Sequence, residues 1–338
     1  MIGGEAGVVV VVLLAVGFDV TNGFHDSSNS VAAPVATRAM RPFTAVAVAA
    51  VFTILGPILA GTAVADTVGG LVTYEPDDTL RILFAALLAA VAWNLITWWR
   101  GLPSSSSHAL VGGLVGAGVA LGGLGAIDWG GFDGWRPRGV AAVLAVLAIS
   151  PVLGLLAGWL GEMLAARSLR RAHRGVTRAI RGGEWVTSAA LAFAHGTNDA
   201  QKTMGVITLA LVATGSLDAF AVPLWVKLVC AGALTVGTAL GGWRIVRTVG
   251  RGIYRIRPLD GLVSQASSSV VIGGAAALGA PVSTTHVVAS SVAGVGTGRR
   301  WRHVRWPVVR EIALAWVVTL PASAGIGAAV AMTERVVL

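Results

Sequence analysis

Several stretches of this 338-residue chain reach the length of about 20 consecutive apolar residues that a helix needs to cross a lipid bilayer. Residues 43–64, 80–99, 139–165, 222–242 and 311–332 are the clearest of them. Only 12% of the residues are charged, about half the share of a soluble domain. The chain is therefore expected to be an all-α polytopic membrane protein, with the lipid bilayer as its solvent. Its N-terminal run, "MIGGEAGVVVVVLLAVGFDV", lacks a basic start and a small-residue cleavage site, and reads as a retained first span.

The formal charge of +9 raises nucleic acid as a partner, but its distribution argues against one. Apart from Lys202 and Lys227 the basic residues are arginines, gathered in short blocks between apolar segments. Arg38 and Arg41 form one block, and 167–181, 244–257 and 299–310 hold the others. The loops between carry acids instead: Asp66, Glu75, Asp77 and Asp78, then Asp128 and Asp133, then Asp218. Because positive loops stay cytoplasmic, this alternation predicts a multi-pass protein of the cell membrane with its N-terminus outside. Lone Cys230 lies within an apolar segment, so no disulfide framework is expected.

Two segments go in and come back on the same side. Residues 80–124 lie between outside loops and turn near 100–108, and 258–298 lie between cytoplasmic blocks and turn near 279–286. Each is either two full spans or a re-entrant hairpin, and Pro103 and Pro281, both near a glycine, favour a broken helix at the turn. The turns match: "GLPSSSSH" (101–108) and "GAPVSTTH" (279–286) share G-x-P-x-S-[ST]-[ST]-H. Upstream, "GFHDSSNS" (23–30) resembles "HGTNDAQK" (195–202). With one half starting outside and the other inside, the expected fold is two inverted-topology repeats, each with transmembrane helices and a re-entrant hairpin. The repeats divide as 1–166 and 185–338, joined by a basic cytoplasmic linker, 167–184.

These motifs carry the candidate chemistry. A helix opening at Ser104, Ser105, Ser106 and Ser107, or at Ser283, Thr284 and Thr285, offers unpaired N–H groups, a partial positive charge and hydroxyl donors. Two such starts facing each other would cage a tetrahedral oxyanion. The plainer reading is that small hydroxyl residues permit close packing and cap helix ends; duplication of the pattern favours the cage. In the first half Asp19, Asn22, Asp26 and Asn29 stand at i, i+3, i+7 and i+10, one stripe of a helix, with His25 beside it and Gly23 within it, where unwinding would free carbonyls. Asp19 lies roughly 20 Å along that helix from Glu5 at 1.5 Å per residue, and a carboxylate at such depth marks a coupling or permeation path. In the second half His195, Asp199 and Lys202 form the stripe, with Asn198 and Gln201 alongside. Lys202 and Asp199 are expected to pair, for structure or for transport. Asn94, between Trp93 and Trp98, is expected to hydrogen-bond across helices. No resident metal ligand set is assigned.

Together the stretches "NGFHDSSNSVAAPVATRAMRP", "WNLITWWRGLPSSSSHALVGG", "FAHGTNDAQKTMG", "APVSTTHVVASSVAG" and "AWVVTLPA" resemble the inorganic phosphate transporter family, specifically its bacterial low-affinity permeases. The resemblance implies symport of inorganic phosphate, in some relatives as a metal–hydrogenphosphate complex, by a homodimer with no cofactor beyond the coupling cation. Sodium-coupled members are similar to G-x-N-D-x-x-N-A in both halves. Asp26 and Asn29 match the first copy, Asn198 and Asp199 the second, and the hairpin Ser/Thr residues match the phosphate cradle. His25 replaces one Asn of that pattern and Lys202 another, so an ammonium group takes the place of a cation, and Asp19 and His25 become titratable positions. Proton coupling is the expectation, with sodium as the alternative. The long cytoplasmic insertion of some relatives is missing between the halves. Arg100, before the first turn, has no counterpart in the pattern and either attracts anions or points to water.

Three other functions compete. A permease for sulfate or another oxyanion would use the same donors. A passive channel would lack uphill accumulation. An intramembrane hydrolase is disfavoured, because Ser107–His108 and Thr285–His286 are sequence neighbours whose side chains diverge by about 100° on a helix. No G-x-S-x-G, H-E-x-x-H or Walker pattern is present.

Overall fold

A computed structural model describes residues 4–72, 76–134, 136–173 and 175–337. One sequence of helices occurs twice. The first run is α1 (Gly4–Ala36), α2 (Pro42–Leu59), the short α3 (Ala63–Gly69), a hairpin of α4 (Pro76–Arg100) and α5 (Ser106–Gly122), and the long α6 (Gly139–Ser168). The second is α7 (Val176–Ala213), α8 (Leu224–Leu240), the short α9 (Trp243–Arg247), a hairpin of α10 (Pro258–Ala277) and α11 (Thr284–Arg300), and the long α12 (Trp306–Val337). A two-stranded antiparallel ribbon, β1 (Gly131–Asp133) with β2 (Arg136–Arg138), precedes α6.

Among the described residues six helices are long and apolar enough to span a bilayer, and α8 with the segment after it makes a seventh when taken as one span. The stretch 222–242 is thus not one straight helix: it ends at Leu240 and the chain bends by 59°. The faces of α6 show which solvent the fold requires. Val143, Gly154 and Gly158 turn inward, whereas Leu153, Leu156, Leu160 and Leu164 are exposed. So continuous an apolar face suits lipid and would associate in water.

The halves exchange partners. Helix α12 of the second run packs along α4 and α5 of the first, and α6 packs along α10 and α11. Likewise α1 lies on α8 and α7 on α2. Glycine makes the latter two crossings possible: a Cβ on Gly23 would collide with the Leu234 carbonyl of α8, and one on Gly196 with the Thr53 carbonyl of α2. Gly23 therefore does not unwind its helix as expected. The helix α1 runs unbroken past it, because the close approach of two backbones is what the missing side chain serves.

Candidate functional site: two hairpin tips around a buried charge cluster

The shared G-x-P-x-S pattern has a local physical cause. Gly101 and Gly279 end α4 and α10 in the left-handed region, at φ +67° and +72°, where a Cβ is penalised. Each closes its helix by the same two bonds: Gly101 N–H to Trp98 O and Leu102 N–H to Thr97 O, and Gly279 N–H to Ala276 O and Ala280 N–H to Ala275 O. This is the Schellman arrangement. A tight turn about each proline follows, with Ser104 N–H donating to Leu102 O and Val282 N–H to Ala280 O, both at 2.9 Å. Ser105 and Ser283 then cap α5 and α11, accepting from His108 N–H and His286 N–H. The helices thus open two residues later than the sequence suggests for Ser104, and one later for Ser283. Ser105 and Ser283 therefore use an oxygen lone pair for capping and keep the O–H proton as a donor.

The tips meet. Ser107 Oγ donates to the Val282 carbonyl at 3.3 Å, and Lys202 Nζ donates to Ser107 Oγ at 2.6 Å and to Val282 O at 3.0 Å. One ammonium from α7 ties both hairpins. It also bonds Asp199 Oδ1 at 2.5 Å, the ion pair expected from sequence. Asp199 Oδ2 lies 2.9 Å from His195 Nε2. From α1, Asp26 reaches the same place: its Oδ1 accepts from Thr285 Oγ1 at 2.9 Å and lies 2.8 Å from His25 Nδ1. Thr284 Oγ1 stands 3.1 Å from both Asp26 Oδ2 and Asp199 Oδ2. Asp26, Asp199, His195 and Lys202 are each at most 1% exposed. Charges so deep persist only when paired and hydrogen-bonded. Asp26, His195 and Asp199 each offer a ligand atom, all within 4.8 Å of one another, a spacing that suits a small cation.

Not every predicted residue joins this cluster. Ser104 Oγ donates to Thr97 Oγ1 at 2.8 Å and sits 3.3 Å from His25 Nε2, so it orients the histidine. Asn29 donates to Thr285 Oγ1 at 3.4 Å, and Asn198 donates to the Ala280 carbonyl at 3.1 Å, bracing the second tip. Gln201 turns away and accepts from Val64 N–H at the start of α3. Asp19 is held by Thr203 Oγ1 at 2.5 Å, two helical turns from Asp26. Asn22 is buried with neither side-chain polar atom partnered among the described residues, and Ser106 is buried at the start of α5. Asn94 departs from expectation: it too is buried with both polar atoms unpartnered among them. Arg100 is exposed, beside Trp99 and Arg244 and outside the cluster. Sequence reasoning missed Thr97, Thr203 and the Val282 carbonyl, whose parts depend on contacts between helices. Only their small polar character inside apolar runs could have signalled them.

Exposed apolar faces, two inverted runs of helices and a charged centre between broken-helix tips define a multi-pass membrane protein of the inverted-repeat transporter kind. The comparisons narrow this to a family: the phosphate transporter family profile matches residues 22–327, and the chain belongs to that family. A probable low-affinity inorganic phosphate transporter of Mycobacterium bovis is 43% identical over 323 residues, 95% of this chain and 76% of that one. The protein of the same description from Bacillus subtilis is 39% identical over 325 residues, 95% of each chain. In fold the chain is similar to a solved structure described as the sodium-dependent phosphate transporter, with a TM-score of 0.86 at 22% identity, covering 99% of this chain and 100% of that one.

Proposed function

We propose that the protein imports inorganic phosphate across the cell membrane by symport with protons, holding the anion between the two hairpin tips. In this reading the repeats are 1–166 and 185–338, the 167–184 linker is cytoplasmic and the N-terminus lies outside. Ser107, Thr284 and Thr285 supply hydroxyl donors, the α5 and α11 N-termini supply backbone donors, and Asp26, Asp199, His25, His195 and Lys202 form the coupling centre. A homodimer follows from the family resemblance.

One observation carries the proton coupling. Thr284 Oγ1 is 3.1 Å from a carboxylate oxygen of both Asp26 and Asp199, yet a hydroxyl has a single proton to donate. Either that one proton is shared weakly between two carboxylates, or one carboxyl carries a proton and donates it to Thr284, which makes both contacts full hydrogen bonds. Asp199 is already paired with the Lys202 ammonium, so Asp26, which has no fixed cation beside it, is the carboxyl this reading assigns to the proton exchange. The same proton prepares the site for an anion. Ionised, the two carboxylates occupy the Thr284 and Thr285 hydroxyls and repel phosphate. Protonation of Asp26 removes a charge from beside the anion, while Lys202 balances what remains. After the tips open inward, loss of the proton restores the repulsion and expels the anion.

Sodium coupling is a second reading, favoured by Asn29, whose buried Oδ1 has no partner among the described residues and stands one turn from Asp26. Phosphate uptake into proteoliposomes, with pH, sodium and magnesium gradients varied separately, decides between them. An inward proton gradient is expected to drive accumulation, and a sodium gradient at constant pH to leave it unchanged. Uptake that follows sodium and ignores pH overturns proton symport, and magnesium dependence would identify a metal–phosphate complex as cargo.

A further inference from the structure

The histidine that ends each hairpin pattern has no part in the coupling centre. His108 and His286 nonetheless face each other across the two tips, ring centroids 4.6 Å apart. Trp316 of α12 stacks on His286 at 3.9 Å, with the planes inclined by 28°. His286 is 2% exposed, and neither ring nitrogen has a hydrogen-bond partner among the described residues. The ring is held by its faces. Trp316 also donates its indole N–H to the Pro103 carbonyl at 3.0 Å. A single side chain therefore bonds the turn of the first hairpin and stacks on the helix start of the second.

The packing makes this contact matter. Helix α12 is bound to the first hairpin along its length: Trp93 Nε1 donates to Thr319 Oγ1 at 3.0 Å and Ser323 Oγ to the His108 carbonyl at 3.4 Å. The second hairpin is backed by α6, with Ser267 Oγ donating to the Ala157 carbonyl at 3.1 Å. Two packing units thus meet at the tips. Besides the tilted His108–His286 contact, the hydrogen-bonded ties between the tips run through Lys202, Ser107 and Val282, groups that exchange partners when an anion enters.

We infer that Trp316 and His286 are positioning residues, whose ring stack keeps the two tips aligned so that Ser107, Thr284 and Thr285 address one anion. The inference rests on the hairpins gripping phosphate as proposed above. A ring stack suits the task, because it is weak enough to part when the tips separate and needs no proton or ion to re-form. Its loss lowers the fraction of molecules with aligned tips, which weakens apparent affinity in proportion. For a stack of ordinary strength the effect is about fivefold.

The test combines uptake kinetics with a distance measurement that needs no substrate. Trp316→Leu and His286→Ala are each expected to raise the phosphate KM about fivefold with Vmax held within about twofold. The double variant should fall short of the summed single effects, since the two substitutions share the loss of the Trp316–His286 stack. His286→Phe retains a flat ring and should keep KM within about twofold of the parent. Spin labels at Leu102 and Leu278, in a Cys230→Ser background, should report one narrow separation that broadens in Trp316→Leu and His286→Ala. An unchanged separation overturns the inference, as do additive effects in the double variant. His286→Phe as impaired as His286→Ala overturns it in favour of direct substrate contact by the imidazole. If the parent takes up no phosphate, the substrate assignment fails, and the label distances still test the alignment.

Discussion

Aligned on their aspartates, the central stretches of α1 and α7 have the same frame and different charges. Gly23 matches Gly196, and each seats its helix on a helix of the other run. Asn22 then stands opposite His195, His25 opposite Asn198, Asp26 opposite Asp199 and Asn29 opposite Lys202. Histidine and asparagine have traded places, and the only fixed cation lies in the second half. Asp199 is bonded to that ammonium at 2.5 Å, whereas Asp26 relies on hydroxyl donors and a neighbouring imidazole. The lesson is a division of labour on a shared frame: α7 pairs its carboxylate with a fixed ammonium, and α1 leaves its own without one, which is what the proposed proton coupling requires.

Substitutions at the two aspartates should break this comparison most visibly. Asp199→Asn leaves the Lys202 ammonium buried without its counter-charge, and losing one partner of a buried pair costs about 3–5 kcal/mol. Thermal unfolding of the purified protein should show that loss, together with abolished uptake. Asp26→Asn should fold with near-parental stability yet fail to accumulate phosphate on a proton gradient. Equal destabilisation by both would erase the distinction between the halves.

Lys202→Asn sharpens the comparison by giving α7 the residue that α1 has at that position. Uptake is expected to lose its response to a proton gradient and to gain a response to sodium, measured in the same proteoliposomes. Unaltered proton-driven transport would mean that Lys202 only braces the hairpins. The smallest effect is expected in the shared frame. Gly23→Ala and Gly196→Ala should each lower stability by about 1–3 kcal/mol through overpacking, whereas Gly17→Ala, which faces open space, should be neutral in the same unfolding assay. A difference between the first two would show that the two crossings are not equivalent.

Much of this arrangement is legible in the chain. The stripe of Asp19, Asn22, Asp26 and Asn29 does lie on one helix, because helical period is a local property. The turn pattern forecasts both hairpin tips, because a left-handed glycine, a φ-locked proline and a capping serine act within a few residues. Other residues of the same types go elsewhere. Gln201 shares the α7 stretch yet serves α3. Ser105 and Ser283 cap their helices through their side-chain oxygens, a role the sequence pattern did not separate from that of an anion donor. Trp316 gives no sign in sequence that it touches two hairpins, since its partners lie far away along the chain.

Sequence by itself determined the membrane habit, the two runs of helices and the chemistry of each turn, all of which follow from hydropathy, period and backbone stereochemistry over short distances. Only the tertiary structure decided that Thr284 stands between Asp26 and Asp199, that Lys202 spans both tips and that α12 is lent to the opposite hairpin. Those pairings arise because the two halves fold across one another, and the energies that select them come from close packing and from the need to compensate every buried charge.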